Sequence, residues 1–305
     1  MNPEALKTVK REIENKKRNQ IKSISYVDSF KSFLIEFFPE LKKKLTRPFG
    51  PTSTIVLLTG MILFFTILAE TFFTTYLVTF YPVGQLTNGN GLLIVCYISD
   101  FIFFLRILLG FRIAIYDRGE LKTNFHFITL HYLKGVLFLD LFTLLNIIGY
   151  FFLDSSWRAL MVLAVIRMYK IPIIIGMFED YFQVSRELGS FIRVLKLGLI
   201  LFVYAHMCGC ALYAVGFYSN DGDGDSWIVN GGFENLGPGN LYVISIYWAS
   251  QTITTVGYGD ITPVTIHERL LLIAIFLGSA IVLGYIISTI ASILAEVSTF
   301  TEENW

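Results

Sequence analysis

Residues 254–260 read TTVGYGD, and the chain on both sides of them is apolar. Two glycines flank Tyr258, although a tight turn needs only one. A phosphate-binding loop would need a lysine nearby, but the nearest downstream basic residue is Arg269. The apolar stretch LYVISIYWASQTI, residues 241–253, comes immediately before. It is shorter than the roughly 20 residues that cross a bilayer. The region therefore predicts a re-entrant helix followed by extended backbone at membrane depth, where such backbone must be buried in protein or line a water-filled path.

The composition of the whole chain is that of a membrane protein. Its 305 residues are 54% hydrophobic and only 16% charged, against about 25% charged in an average soluble domain, and the mean hydropathy is +0.61. Lysine and arginine are absent from residues 48–105 and 197–268. The net charge of zero offers no electrostatic footprint for nucleic acid. The three cysteines lie in apolar stretches and are expected to be packing residues.

Long apolar runs predict six spanning helices in addition to the re-entrant one. The expected fold class is an all-α membrane protein with six transmembrane helices, a re-entrant pore helix and the loop that follows it. The predicted spans are residues 54–80, 92–114, 132–153, 157–178, 189–218 and 268–296.

The distribution of basic residues orients the chain. The N-terminal arm, residues 1–47, holds 12 basic and 6 acidic residues, whereas loops 81–91 and 219–239 contain no lysine or arginine. The positive-inside rule then places both termini of a multi-pass protein in the cytosol. A plasma or ciliary membrane is favoured, with an organellar membrane as the alternative. The arm is typical either of a helix lying on the membrane surface or of a solvated cytosolic segment.

The loop has the backbone chemistry of a site for a dehydrated cation. Stacked carbonyls and a threonine hydroxyl can replace the hydration shell of an ion when copies of the loop meet on one axis. Glycine at alternate positions lets successive carbonyls point to one side, because it reaches dihedral angles closed to other residues. The residues expected to form this site are Thr255, Val256, Gly257, Tyr258 and Gly259.

Neighbouring residues are expected to support the loop. Tyr258 should wedge outward against the re-entrant helix near Trp248 and so hold the ring of carbonyls open. Thr254 and Asp260, at the two ends of the loop, complete the predicted support.

Several further stretches carry a family resemblance: FRIAIYDRGEL after the second span, LHYLKGVLFLDLFTLL at the third, AHMCGCALY in the fifth and GSAIVLGYIISTIASIL in the last. Together with YWASQTITTVGYGDITP, they make residues 48–296 resemble the six-helix potassium channels. The resemblance is to the branch that carries cyclic-nucleotide-binding tails, which includes ether-à-go-go, plant inward-rectifier and hyperpolarisation-activated channels. It implies a voltage-gated-like channel fold and a homotetramer in lipid, with a heteromer as the alternative. The implied permeant ion is K+, held by Thr255, Val256, Gly257 and Tyr258, and no other cofactor is expected.

The resemblance also implies a division of the chain into domains. After the basic arm come a four-helix voltage-sensor-like domain and a pore domain made of a helix, a turret, the pore helix, the filter and an inner helix. The predicted boundaries are 1–47, 48–180, 181–298 and a cytosolic tail at 299–305. The sequence contains no nucleotide-binding tail, so gating by such a ligand is not inferred.

The voltage-sensor-like domain departs from the family pattern D-x-x-F-x-x-D-I-x-L-N-F-R in the second span. Arg106 stands where the second acid is expected, and Gly110 replaces the asparagine. The fourth span carries only Arg158, Arg167 and Lys170, although sensitive channels move three to four charges per subunit. Only the last two lie deep in the span, so weak or absent voltage gating is expected.

Intramembrane charges are expected to pair. Arg106 and Asp140 each lie six residues inside a basic boundary residue, or about 9 Å at the helical rise of 1.5 Å per residue, which predicts an ion pair between them. Glu70 and Asp100 lie at depths where they can meet Arg158 or Arg167. Two roles are open for these two acids: a mobile sensor or a static pair that holds the bundle.

Three more positions have two interpretations each. Gly278 and Gly284 in the last span are either gating hinges or sites of close helix packing. His206 in the fifth span is either a hydrogen bonder between helices or a proton sensor, and the first is favoured.

The sequence favours a potassium-selective channel subunit that is weakly or not voltage-gated. Two alternatives are a poorly selective cation channel and a non-conducting structural or regulatory subunit of a larger membrane assembly. An enzyme is not expected, because the sequence shows no membrane-embedded nucleophile–base pair or metal cluster.

Overall fold

The structure is a computed structural model and describes residues 48–303 except 52, 82–89, 118, 153–155, 183–185 and 219–224. The N-terminal arm and its predicted surface helix lie outside the described residues. The helices are α1 (Thr54–Phe80), α2 (Gly91–Gly110), α3 (Phe125–Lys134), α4 (Leu137–Thr143), α5 (Asn146–Phe151), a 3₁₀ helix (Ser156–Tyr169), α6 (Lys170–Phe182), α7 (Arg186–Tyr218), α8 (Trp227–Asn230), α9 (Pro238–Ile253) and α10 (Ile266–Glu303).

The described helices agree with the predicted spans. Five are long and apolar enough to cross a membrane, and a sixth crossing results if one bent pair is a single span. The prediction of an all-α protein with six spans is therefore confirmed. The five are Thr54–Phe80, Gly91–Gly110, Ala159–Tyr181, Gly189–Tyr218 and Ile266–Glu296, and the bent pair is Phe125–Lys134 with Leu137–Phe151.

The third span is broken where the sequence predicted one straight helix over 132–153. Its two parts meet at 60°. The Gly135 amide donates to the carbonyls of both His131 (2.9 Å) and Tyr132 (3.2 Å), which closes α3 in a tightened last turn. The next helical bond, from the Asp140 amide to the Val136 carbonyl (3.0 Å), starts α4 afresh. Glycine weakens a helix interior, so the bend falls where the sequence is least helical.

The fourth span begins as a 3₁₀ helix of 14 residues and continues as α6. Side chains three residues apart lie in line in a 3₁₀ helix. Met161, Ala164 and Arg167 follow that spacing and are all buried. Pro172 lies in the first turn of α6, where a missing backbone amide is tolerated.

Two apolar clusters hold the first four spans together. One joins α1, α2 and α6 around Ile67, Phe103 and Ile171, and the other surrounds Leu77, Cys96 and Met161. A third and larger cluster packs α7, α9 and α10 around Trp248. The buried members of the third cluster are Phe80, Ala205, Cys208, Cys210, Leu212, Tyr213, Trp227, Ile228, Leu241, Trp248, Ala249, Ile253, Leu272 and Ile275.

Residues 48–51 and 112–129 form a compact unit of their own, separate from the remaining described residues. Strands β1 (Ile115–Asp117) and β2 (Glu120–Lys122) form an antiparallel hairpin, with Gly119 at a positive φ of 85° in its turn. The Phe49 amide donates to the Arg112 carbonyl (2.7 Å), and the Ala114 amide donates to Phe49 (2.8 Å). This pairing explains why the helix predicted to reach residue 114 ends at Gly110.

Candidate functional site

Helix α9 delivers the loop at residues 254–260. It has 16 residues, and it is not among the spanning helices of the described chain. Gly237 precedes its first residue, Pro238, whose fixed φ suits a helix start. The Thr254 hydroxyl donates to the Ser250 carbonyl at 2.7 Å and so closes the other end. The predicted short helix leading into the loop is present.

The loop backbone alternates in handedness. Thr255, Gly257 and Gly259 have φ values of 62°, 58° and 75°, and Thr255 is the one non-glycine residue with a positive φ among those described. The sequence predicted this freedom for the two glycines but not for the threonine. Such conformations cost an ordinary side chain about 1–3 kcal/mol and persist only where the surroundings fix them.

Hydrogen bonds of the loop amides fix this backbone. Gln251 accepts from the Val256 amide (2.9 Å) and the Gly257 amide (3.2 Å) through its main-chain carbonyl. It accepts from the Tyr258 amide (2.7 Å) through its side-chain Oε1. A trans peptide holds its C=O opposite its N–H, so the carbonyls of Thr255, Val256 and Gly257 point away from α9. Within the described residues these three carbonyls accept no hydrogen bond.

Gln251 also clamps the far end of the loop. Its Nε2 donates to Oδ1 of Asp260 at 2.8 Å, and the Tyr247 hydroxyl donates to Oδ2 at 2.8 Å. These two bonds lower the pKa of the exposed Asp260 carboxyl. A lowered pKa means that the carboxylate form, which accepts both bonds, persists at neutral and mildly acidic pH and is lost only as pH falls through the depressed value. Sequence reasoning missed Gln251 and Tyr247.

Within the single chain the Tyr258 ring does not pack on Trp248, and its predicted role in holding the ring of carbonyls open stays a prediction. The Tyr258 side chain is 72% exposed, whereas Trp248 is 4% exposed in the cluster between α7, α9 and α10.

Glu268 anchors the segment after the loop, and the sequence analysis missed it. This fully buried carboxylate accepts hydrogen bonds from the amides of Val264 (2.7 Å), Thr265 (3.2 Å) and Trp227 (3.1 Å). The Glu268 amide in turn donates to the Thr265 hydroxyl at 3.2 Å. Thr265 and Glu268 have the spacing of a capping box at the start of α10, which is the signal that could have identified them.

The structure separates the two glycines proposed as hinges. A Cβ added at Gly278 would lie 2.4 Å from the Tyr204 hydroxyl, which itself donates to the Ile275 carbonyl at 3.1 Å. A Cβ at Gly284 would meet nothing within 4 Å. Gly278 is therefore a site of close helix packing, while the hinge role of Gly284 stays a prediction.

Gly278→Ala is expected to lower the melting temperature of the purified protein, because overpacking costs about 1–3 kcal/mol. Gly284→Ala is the matched control, and it should leave stability unchanged or raise it slightly, since alanine favours a helix. Adding Tyr204→Phe removes the atom at 2.4 Å, so it should restore most of the loss. A Gly278→Ala variant as stable as Gly284→Ala would contradict the packing role.

Arg167 is the centre of a fully buried ion cluster. Its Nη1 lies 2.7 Å from Glu70 Oε2 and 2.6 Å from Asp100 Oδ1. Its Nη2 donates to Asn146 Oδ1 (3.1 Å) and to the Thr143 carbonyl (3.2 Å). The two predicted acids therefore do meet Arg167, whereas the side chain of Arg158 lies outside the described residues. From the 3₁₀ helix, the arginine therefore joins α1, α2, α4 and α5.

The predicted pair of Arg106 with Asp140 is wrong. Lys170 Nζ lies 2.8 Å from Asp140 instead, and the hydroxyls of Tyr132 (2.5 Å) and Tyr169 (2.6 Å) donate to the same carboxylate. Because Lys170 follows Arg167 by three residues at the end of a 3₁₀ helix, it lies below it on the same side. Lys170, and not Arg106, therefore forms the ion pair with Asp140.

His206 joins three helices. One ring nitrogen, Nε2, is hydrogen-bonded to the Thr75 hydroxyl of α1, and the other, Nδ1, lies 3.0 Å from the Tyr242 hydroxyl of α9. Phe72 packs its ring 4.2 Å from the imidazole. The predicted hydrogen-bonding contacts between helices are present.

Known proteins with similar sequences are ion transport proteins, which agrees with the geometry of the loop. Residues 57–301 match the family model described as "Ion transport protein". The chain is 27% identical over 259 residues to the human voltage-gated delayed rectifier potassium channel KCNH5, covering 75% of this chain and 26% of that protein. It is 28% identical over 189 residues to potassium channel KAT3 of Arabidopsis thaliana, covering 59% and 28%. A third relative is a cyclic nucleotide-gated cation channel of Drosophila melanogaster, 26% identical over 211 residues, covering 66% and 31%.

The chain therefore belongs to the ion transport protein family, as a voltage-gated-like member of the branch that carries cyclic-nucleotide-binding domains. It is an integral membrane protein, and the prediction of a non-enzymatic protein is confirmed by this membership. The chain spans about a quarter to a third of the length of these relatives.

Proposed function

We propose that this chain is one protomer of a potassium-selective channel that conducts K+ through four copies of residues 255–259. The observation that carries the proposal is the fixed orientation of the loop. Three successive carbonyls point away from α9 while their neighbouring amides are bonded back to it. Such carbonyls, repeated around an axis, can replace the hydration shell of K+.

Exposed surface supports assembly into a tetramer. One chain supplies only one side of a ring, and its Val256 and Tyr258 side chains are 53% and 72% exposed. Helix α10 also presents uncovered apolar residues, among them Leu277 and Ile281. Neighbouring copies and lipid are the partners that would cover these surfaces, and related chains could take the same positions in a heteromer.

The charged cluster supports weak or absent voltage gating. Arg167 is paired with two carboxylates and Lys170 with a third, and all three carboxylates are buried. Moving one charge through the whole field gains about 2.3 kcal/mol per 100 mV. Breaking a buried pair costs about 3–5 kcal/mol. For each charge, breaking its ion pair therefore costs more free energy than the membrane field supplies. Both termini would lie on the cytosolic side.

Conduction by the purified chain in a planar bilayer tests the proposal. With unequal K+ and Na+ on the two sides, we expect single-channel currents that reverse near the K+ equilibrium potential and an open fraction that changes little with voltage. Gly257→Ala should abolish this selectivity, because Gly257 has a φ of 58° that alanine adopts only under strain. Gly198→Ala in α7, where an added Cβ would meet nothing within 4 Å, is the control.

The two alternatives predict different recordings. A poorly selective cation channel, as suggested by the cyclic nucleotide-gated relative, would reverse near zero in mixed K+ and Na+. A structural or regulatory component of a larger assembly would give a silent bilayer although the protein is folded. Either result would reject potassium selectivity of this chain.

A further inference from the structure

Arg106 lies at the seam between the core side and the lipid side of α2. On the core side, Phe103 and Ile107 are buried, whereas the flanking Leu105 and Leu108 are 43% and 49% exposed. Arg106 itself is intermediate between these classes. Its charged group is therefore placed where helix packing ends and acyl chains begin.

No described carboxylate forms an ion pair with this guanidinium, although the charge of Asp140 acts on it through space. Asp140, the nearest candidate from the sequence, is already bonded to one ammonium and two hydroxyls, as shown above. Asp100 lies six residues away along α2, about 9 Å, and contacts Arg167. Arg106 Nε is buried without a hydrogen-bond partner among the described residues. A guanidinium stays protonated in a protein, so a group from outside the described residues can complete its hydrogen bonding.

The position of Arg106 along α2 brings a lipid phosphate within reach. Helix α2 ends at Gly110, four residues after Arg106, or about 6 Å of rise. Long basic side chains near the end of a span extend along apolar surface toward the interface. The same end carries the exposed Lys134, the last residue of α3, so it is a basic end of the bundle. Phosphate matches the planar fork of arginine, which can donate two parallel hydrogen bonds to it.

We propose that Arg106 binds the phosphate group of an anionic phospholipid at the seam between the core side and the lipid side of α2. The lipid would lie in the leaflet at the basic end of these helices, which the positive-inside rule assigns to the cytosol. The site rests on the membrane fold and on a partly exposed arginine that has no ion-pair partner among the described residues, and it is independent of whether the pore conducts. It would tie the stability of the first four spans to the lipid composition of the membrane.

Thermal melting of the full chain in detergent tests this site. The probes are dioctanoyl phosphatidic acid, dioctanoyl phosphatidylcholine and inorganic phosphate, each titrated separately. Phosphatidic acid should raise the melting temperature of the wild type saturably and at lower concentration than phosphatidylcholine. Inorganic phosphate should give no shift at equal concentration, and a shift equal to that of phosphatidic acid would overturn the lipid assignment by identifying a soluble phosphate as the ligand of the same arginine.

Two substitutions make the test specific. Arg106→Gln should require about tenfold more phosphatidic acid for the same shift, the factor expected for about 1.4 kcal/mol. Arg269→Gln removes an exposed arginine elsewhere in the chain and should titrate like the wild type. If Arg106→Gln does not fold, Arg106→Lys replaces it and must also bind phosphatidic acid more weakly, because lysine lacks the fork. Titration of the Arg106 variant that coincides with the wild type overturns the proposal.

Discussion

Arg167→Gln is expected to destabilise the first four spans by about 3–5 kcal/mol, the cost of removing one partner from a buried ion cluster. Glu70 and Asp100, which are 2% and 4% exposed, would both lose their cation. Asn146 donates to both carboxylates and cannot neutralise either of them. The measurement is the melting temperature of the purified protein, which should fall on the order of 10 °C, together with its elution as a single species.

Neutral partners should reverse part of this loss. Combining Arg167→Gln with Glu70→Gln and Asp100→Asn removes both stranded charges and leaves amides that can bond to each other, so the triple variant should be more stable than the single one. Arg269→Gln, at an exposed position, is the control for loss of an arginine. A single Arg167 variant that melts with the wild type would show that the cluster does not hold the bundle.

Gln251→Leu is expected to abolish selective conduction while leaving the helices folded. Leucine has a similar size but removes the acceptor of the Tyr258 amide and the donor to Asp260. Both bonds hold a loop whose backbone is already strained at Thr255, and without them the carbonyls are no longer fixed in one direction. The reversal potential in mixed K+ and Na+ measures the effect, and circular dichroism confirms helix content.

A charge variant at the same position separates the bonding role from simple packing. Gln251→Glu keeps an acceptor for the Tyr258 amide but sets a second carboxylate 2.8 Å from Asp260. Two carboxylates at this distance repel each other when both are charged, so the pKa of one of them rises above its usual value. Conduction should therefore be retained at low pH and lost as pH rises through the raised pKa. Adding Asp260→Asn should remove this pH dependence, and a pH-independent Gln251→Glu channel would contradict the clamp.

Much of the fold could be predicted because apolar length and charge placement decide it. About 20 apolar residues are needed to cross a bilayer, so the apolar runs that end at Phe80 and Tyr218 can be recognised as spans from the sequence. The alternation of glycine around Tyr258 likewise predicted backbone that ordinary residues avoid, and positive φ values occur at both glycines. The division into a sensor-like and a pore domain, and the functional roles of the site residues, stay predictions.

The charge pairs show where counting residues fails. Counting gives the depth of a side chain along a helix but not the direction in which it points around the axis. Arg106 and Asp140 were placed at equal depth, yet Lys170 occupies the carboxylate. Two features decide that outcome: the bend after Gly135, and the 3₁₀ geometry that sets Lys170 below Arg167. Neither follows from hydropathy, because both depend on how neighbouring helices pack.

The loop supports were missed for a different reason. Tyr247 and Gln251 are four residues apart on α9 and so share a face, and Gln251 precedes Thr255 by the same spacing. Trp248, the support predicted from the sequence, lies in the core instead. A polar side chain on α9, one helical turn before the loop, was the better indicator of a residue that supports the loop.

The 3₁₀ helix of the fourth span also acts as a ruler. Its 14 residues cover about 28 Å at 2.0 Å per residue, whereas an α-helix of the same length would cover about 21 Å. Rewinding the segment would shorten it by about 7 Å and would turn each residue by about 100° instead of about 120°. Met161 and Ala164 would then leave the line that ends at Arg167. Rewinding would therefore change both the length of the segment and the alignment of these side chains, and the buried ion pairs of Arg167 oppose both changes.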